Sequence, residues 1–136
     1  NDNEFRNALR NGYINLISCD FTNFNHILSP EILNLIKQFH NKFVEIRLLS
    51  FLKQTPIEKA QTLSIFYRKR ALYNKPDLPF IISSCAQKLE DFLSPRCIRS
   101  FLRVIGLREE VILNYLSYNP EKLIKMPWKV ILLKSD

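Results

Sequence analysis

Four prolines each directly follow a residue type that often caps the amino terminus of a helix, and these pairs constrain the fold more than any other feature of the sequence. The pairs are Ser29-Pro30, Thr55-Pro56, Ser94-Pro95 and Asn119-Pro120. A capping side chain accepts a hydrogen bond from an unpaired N–H of the first turn, and proline suits the first helical position because no N–H is needed there. These pairs, with only two glycines in 136 residues, predict an all-α fold.

The spacing of apolar residues divides the chain into predicted helices. Apolar residues recur at helical spacing through 30–53, which we predict to be one long helix with neighbours on two sides. Glu58, three residues after Thr55, gives the spacing of a capping box. The other predicted helices lie at 56–73, 80–93, 95–105 and 107–117, and a last one begins at 120. We therefore expect a compact all-α domain of six to seven helices around the helix at 30–53.

The two ends of the chain are less regular. An N-terminal set of apolar residues has helical spacing but is interrupted by Gly12: Phe5, Leu9, Tyr13, Leu16 and Ile17. Residues 128–133 suit a helix or an isolated strand, and we favour the helix. The length predicts a single domain over 1–136. Because the first residue is an asparagine, we expect a fragment or processed form of a longer protein. Whether a signal peptide precedes it in that protein is left open.

The cysteines and the hydropathy pattern indicate an intracellular protein. Cys19, Cys85 and Cys97 are odd in number and have no close spacing, which is typical of reduced thiols rather than a disulfide framework. No apolar run approaches the roughly 18 residues that are needed to span a bilayer. We therefore expect a cytoplasmic or nuclear location.

Residue types that carry catalysis are sparse. Cys19, His26 and His40 lack the close ligand pairs of zinc sites. Cys85 and Cys97 fall in predicted amphipathic helices, where a small buried thiol is the more common role. The sequence contains no glycine-rich phosphate loop. We predict neither an enzyme nor a metal or cofactor site.

Basic residues are concentrated in the second half of the chain. Residues 1–68 hold eight basic and six acidic side chains, whereas 69–136 hold twelve and seven. Arg68, Lys69 and Arg70 lie among tyrosines near the end of one predicted helix. Arg96, Arg99 and Arg103 share one side of another. Either set is consistent with a solvated helix surface, or with contacts to phosphates and bases.

Residues 94–118 carry a family resemblance. Their pattern is Pro95-Arg96-x-Ile98-x-x-Phe101-Leu102-Arg103, followed by Leu107-x-x-x-Val111-x-Leu113-x-Tyr115-Leu116-x-Tyr118. This resembles a shortened SOCS box, most similar to the version that ends ankyrin-repeat SOCS-box proteins. The resemblance implies docking to elongins B and C within a ubiquitin ligase. Ile98 and Phe101 would match the family's two leucines, whereas Leu102 replaces its cysteine and its leucine-proline motif is absent.

Two functions of different classes follow from these features. The leading prediction is a helical protein–protein interaction module, or adaptor, which docks a ubiquitin-ligase component through the helix pair at 95–116. Its partner-binding residues would be Ile98, Phe101, Leu102, Ile105 and Leu113. The alternative is a basic helical domain that binds RNA or DNA. Its binding residues would be Arg68, Lys69, Arg70, Arg96, Arg99 and Arg103. A structural role inside a larger complex is a third possibility.

Overall fold

A computed structural model describes residues 2–26 and 29–126 and shows a mixed α/β fold. In chain order the elements are α1 (Asp2–Arg10), β1 (Leu16–Asp20), a first 3₁₀ turn (Phe21–His26), α2 (Pro30–Lys37), β2 (Phe43–Arg47), α3 (Leu49–Leu52), α4 (Pro56–Arg68), α5 (Arg70–Tyr73), β3 (Phe80–Ser83), a second 3₁₀ turn (Leu89–Asp91), α6 (Pro95–Val104), α7 (Glu109–Leu113), a π-helical turn (Asn114–Tyr118) and α8 (Asn119–Lys125). Among these helices none has the length and apolar character that crossing a membrane requires. The prediction for 128–133 lies outside the described residues.

The three strands form one parallel sheet in the order of the chain, β1-β2-β3. Leu16 pairs with Phe43 and Asp20 with Arg47, so β1 and β2 are aligned over their full lengths. Val44 pairs with Phe80 across the second ladder. Helices occupy both connections between the strands, because parallel neighbours need a long crossover. The all-α prediction, and with it the description of the chain as a helical domain, is therefore wrong.

The predicted central helix at 30–53 does not exist. α2 ends at Lys37, and the chain then forms β2 and the single turn α3. The β2 sequence Phe-Val-Glu-Ile-Arg is rich in the aromatic and β-branched residues that favour strands. Its apolar residues happen to continue the helical spacing of α2, and a short buried strand cannot be told from a helix by spacing alone. The predicted helix at 80–93 fails likewise, because Phe80–Ser83 form β3.

Three of the four predicted helix starts are confirmed. The Ile32 N–H donates to Ser29 Oγ over 3.3 Å, and the Cys97 N–H donates to Ser94 Oγ over 3.2 Å. The capping box is complete, since the Glu58 N–H donates to Thr55 Oγ1 and the Thr55 N–H donates to the Glu58 carboxylate. The helix predicted at 95–105 is observed as α6, and the one at 56–73 is divided into α4 and α5.

The fourth pair, Asn119-Pro120, does not begin a separate helix. Helical backbone runs from α7 through the π-helical turn into α8. Asn119 lies where the π-helical turn meets α8, and its side chain is buried. Pro120 has no N–H and its ring crowds the preceding turn, which a widened π turn accommodates. The Asn119 side-chain amide donates instead to the carbonyl oxygens of Leu78 and Phe80, at 3.0 and 2.8 Å.

The core lies on one face of the sheet. Val44, Ile46 and Phe80 point into it and are at most 2% exposed. Opposite them the aromatic rings of the first 3₁₀ turn and α4 stack, with the Phe21 and Phe66 centroids 4.4 Å apart. Residues from α1, α2, α6 and α7 complete the same cluster. The helix pair that resembles a SOCS box is thus packed on the core of this domain.

Candidate functional site

The other face of the sheet is divided into an apolar half and a polar half. At the amino-terminal ends of β2 and β3, Phe43 and Ile81 pack against Leu123 of α8. At the carboxyl-terminal ends, alternation along the strands places polar side chains on that same face. We call this group the polar half-face; it comprises Ser18, Asp20, Glu45, Arg47 and Ser83.

Glu45 is the centre of the polar half-face. The Ser18 hydroxyl donates to Glu45 Oε2 and the Ser83 hydroxyl donates to Glu45 Oε1, each over 2.7 Å. Because Ser18 lies on β1 and Ser83 on β3, all three strands hold one carboxylate in a fixed orientation. Each carboxylate oxygen has a further lone pair and can accept a second donor. A glutamate is unusual in the middle strand of a parallel sheet, where apolar residues predominate.

An ion pair borders this carboxylate. Arg47 Nη2 lies 3.1 Å from Asp20 Oδ1, and each side chain is about one-third exposed. The Arg47 Nε–H is buried and has no acceptor among the described residues. A buried donor without an acceptor costs free energy. The pair therefore presents both a cation and an anion beside Glu45, with part of its hydrogen-bonding capacity unused.

The position of the polar half-face is also informative. The strands end at Asp20, Arg47 and Ser83. In parallel sheets, ligands characteristically bind beyond the carboxyl ends of the strands. Ser18 is exposed and the other four residues are half-buried, so the group is accessible while its members hold one another in place. The polar half-face is therefore an accessible set of polar side chains whose positions are fixed by contacts within the set.

The candidate nucleophiles and metal ligands do not assemble into a site. Burial raises the pKa of the Cys19 thiol to about 11, so Cys19 is protonated at neutral pH. Cys85 follows β3 rather than lying in a helix, and Cys97 is exposed on α6. Within residues 2–26 and 29–126 no three His, Cys, Asp or Glu side chains could hold a metal ion. The side chain of His26 lies outside the described part.

The predicted partner-binding residues are mostly internal. Ile98, Leu102 and Ile105 are 7, 0 and 3% exposed and belong to the main core. Phe101 is half-buried and its ring contacts that of Phe51 at 5.4 Å between centroids. Leu113 is 44% exposed. The domain uses this apolar face itself. That these residues bind a partner stays a prediction, and it would require α6 to leave the core.

The predicted nucleic-acid-binding residues differ in their surroundings. Arg99 contacts Glu109 at 2.8 Å, and Arg103 donates to the same carboxylate. The Arg70 guanidinium stacks on the Tyr67 ring at 4.0 Å. In the described part of the chain, Arg68 and Arg96 are exposed and have no ion pair, whereas Lys69 is half-buried. The Arg96, Arg99 and Arg103 stripe is thus partly neutralised, and nucleic-acid binding stays a prediction.

The two basic segments nevertheless meet at one point. Gly106 has φ +96°, which favours glycine, and a Cβ there would lie 3.1 Å from Arg70 Cδ. The Asn74 side-chain amide donates to the Gly106 carbonyl over 3.4 Å. Gly106 therefore allows the end of α6 to pack against α5, with Arg70 close to the turn that follows Arg103.

The sequence interpretation did not identify the polar half-face, although a signal was present. Ser18 and Asp20 alternate with apolar neighbours, as do Glu45 and Arg47. Alternation with a period of two is typical of strands that have one polar face. Each run is only five residues long and lies beside residues with helical spacing, so the alternation does not stand out from its surroundings.

Comparison of the chain with protein-family models and with curated protein sequences finds no match. The resemblance of residues 94–118 to a SOCS box stays a prediction.

Proposed function

We propose that this domain is a protein-interaction module that binds its partner through the polar half-face. The observation that carries the proposal is the convergence of three strands on the Glu45 carboxylate, on a face that α8 covers only at its other end. Side chains that are already held in position lose little conformational entropy when they bind. A rigid polar surface of this kind provides specificity through matched donors and acceptors.

The charges of the polar half-face define the chemistry of the partner. Asp20 and Glu45 are acidic, Arg47 is basic, and the two serine hydroxyls already donate to Glu45. The remaining capacity is mainly for accepting hydrogen bonds at carboxylate oxygens. A partner surface with Lys or Arg side chains and free N–H donors is complementary to it, and one acidic group would fit beside Arg47.

The proposal keeps the class of function that the sequence predicts and changes the surface. The apolar face of α6 is packed in the core, whereas the polar half-face is accessible. Docking of elongins B and C through residues 94–118 remains the alternative within the same class. An intracellular location is part of the proposal, and the three free cysteines, Cys19, Cys85 and Cys97, are consistent with it.

Site-specific photo-crosslinking tests the proposal. A benzophenone amino acid at Leu16, on the same sheet face beside the polar half-face, should give a discrete crosslinked protein in cells. Leu16 is 37% exposed, and Ile65 on α4 is a matched control at 36%. The proposal predicts a product from position 16 that is absent from position 65, because only the first position adjoins the binding surface.

A second variant connects the product to Glu45. Glu45→Gln keeps the size of the side chain but removes its charge, so we expect about a tenfold lower crosslinking yield from position 16, equivalent to about 1.4 kcal/mol. Circular dichroism must show that the variant is folded. Equal yields from positions 16 and 65, or a yield that Glu45→Gln leaves unchanged, would contradict the proposal.

A further inference from the structure

The backbone of β1 has one edge without a neighbouring strand. The Phe43 N–H donates to the Asn15 carbonyl over 2.8 Å, so the backbone groups of residue 15 point towards β2. Because these directions alternate along a strand, Ile17 and Cys19 also bond to β2. The N–H groups of Leu16, Ser18 and Asp20 therefore point away from the sheet. Among the described residues they have no backbone acceptor.

The opposite edge of the sheet is partly covered by a side chain of the π-helical junction, Asn119. The Val44 N–H donates to the Pro79 carbonyl and the Leu48 N–H donates to the Ser83 carbonyl, so these two carbonyls point towards β2. Because carbonyl directions alternate along a strand, the carbonyls of the residues next to them point away from the sheet. The outward carbonyl of Phe80, and that of Leu78 just before β3, accept hydrogen bonds from the Asn119 side-chain amide. Proteins commonly protect edge strands in such ways, because an unpaired edge is a template for another strand. In the described structure the protection is found at β3 and not at β1.

We propose that the free edge of β1 binds an extended segment of a partner protein, which adds a fourth strand to the sheet. This inference rests on the proposed function and specifies how the partner engages, since Ser18 and Asp20 belong to both the edge and the polar half-face. Main-chain hydrogen bonds supply the affinity in such strand addition, and alternate side chains supply the specificity.

The side chains of β1 define the sequence of the added strand. Ile17 and Cys19 are half-buried at the border of the core, so neighbouring residues of the segment on that face should be apolar. On the other face the neighbours are Ser18 and the Asp20 carboxylate, which a hydroxyl and a cation complement. The geometry therefore favours a segment in which small apolar residues alternate with Lys or Thr.

A synthetic peptide with this alternation tests the inference on the full chain. The probe is acetyl-Val-Lys-Val-Thr-Val-Lys-Val-amide, with binding followed by NMR. Two control peptides carry N-methyl groups, one at every valine and the other at every lysine and threonine. In a paired strand only one of these two sets directs its N–H groups towards β1. We expect one control to bind at least tenfold more weakly and the other to bind like the probe; equal binding by all three peptides would overturn the inference.

Two variants of one residue test the protein side. Ser18→Ala and Ser18→Pro both remove the hydroxyl, but only proline also removes the N–H at the free edge. Proline is tolerated in edge strands when that N–H faces away from the sheet. Because the two variants lack the same hydroxyl, we expect the proline variant to bind the probe at least tenfold more weakly than the alanine variant, and equal binding by the two would overturn the inference. If Ser18→Pro does not fold, the methylated peptides still decide the matter.

Hydrogen exchange identifies any prior occupant of the edge. We expect the Ser18 amide to exchange rapidly in the free monomer and at least tenfold more slowly with the probe bound. Protection before the probe is added would show that this chain already fills its own edge, which would overturn the inference.

The crosslinking result separates this inference from the proposed function. Crosslinking from position 16 that persists without any peptide binding would overturn the inference and leave the proposed function standing. If no crosslinked product forms from position 16, the proposed function itself is contradicted.

Discussion

At the scale of single residues, the Tyr115 hydroxyl stabilises the segment that precedes β3. Tyr115 is 1% exposed, and its hydroxyl lies within hydrogen-bonding distance of the Tyr73 and Lys75 carbonyls. Burial raises the pKa of Tyr115, so the hydroxyl stays protonated and can donate. Tyr115→Phe leaves buried acceptors without their donor. We expect the free energy of unfolding, measured by urea denaturation, to fall by about 1–3 kcal/mol.

Tyr118 provides the matched control for this prediction. Tyr118 lies in the same π-helical turn as Tyr115, but its side chain is 47% exposed. Tyr118→Phe should change the free energy of unfolding by less than about 0.5 kcal/mol, as is usual for surface positions. Equal losses from the two substitutions would show that the hydroxyl of Tyr115 has no special role.

At the scale of elements, the cap of α6 is a local device with a measurable contribution. The Cys97 N–H donates to Ser94 Oγ, and Pro95 occupies the first turn. Ser94→Ala should lower the free energy of unfolding by about 1 kcal/mol, because an N–H of the first turn loses its acceptor. Thermal or urea denaturation would measure this. Ser100→Ala, on an exposed position within α6, should be neutral or slightly stabilising. A loss there as large as that at Ser94 would refute the capping role.

These helix starts could be predicted because their causes are local. Ser29, Thr55 and Ser94 each cap a helix through a bond to a residue three positions away. β2 and β3 could not be separated from helices, since short apolar runs have no distinctive period. The prediction from Asn119 failed for another reason, because its amide donates to the carbonyls of Leu78 and Phe80, 41 and 39 residues distant, where the chain enters β3. A tertiary contact there replaced the local one.

The candidate site was hidden from the sequence for the same reason. Ser18 and Glu45 are 27 residues apart, and Glu45 and Ser83 are 38 apart. Their meeting depends on parallel pairing and on the register of both ladders. A shift of one residue in either register would move Glu45 or its serine to the opposite face of the sheet. The residue types are visible in the sequence, but their convergence is a property of the sheet.

At the scale of the whole molecule, one topology accounts for both proposals. Because the strands follow chain order, the main core covers one face and α8 covers only the amino-terminal half of the other. The polar half-face is therefore left accessible. Asn119 covers part of the β3 edge, whereas the described residues leave the β1 edge unpaired. The accessible face and the open edge meet at Ser18 and Asp20, so one partner could use both.

The acid sensitivity of the whole domain should depend in part on Glu109, which connects α7 to α6. Hydrogen bonds from Arg103 and then Arg99 lower the pKa of Glu109 from 4.5 to about 2. A carboxylate with a lowered folded-state pKa stabilises the fold above its unfolded pKa and loses that contribution as the pH falls towards the folded value. The free energy of unfolding should therefore decrease between pH about 4.5 and about 2.

The Glu109→Gln variant tests this role. It should be less stable at pH 6, and its free energy of unfolding should decrease less steeply as the pH falls. Part of the decrease should remain, because the pKa values of Asp77 and Glu121 are also lowered. Urea midpoints from pH 2 to 6 would measure the difference. Because Glu109 is exposed, the difference should shrink in 1 M salt, and parallel curves for the two proteins would refute the role of this ion pair.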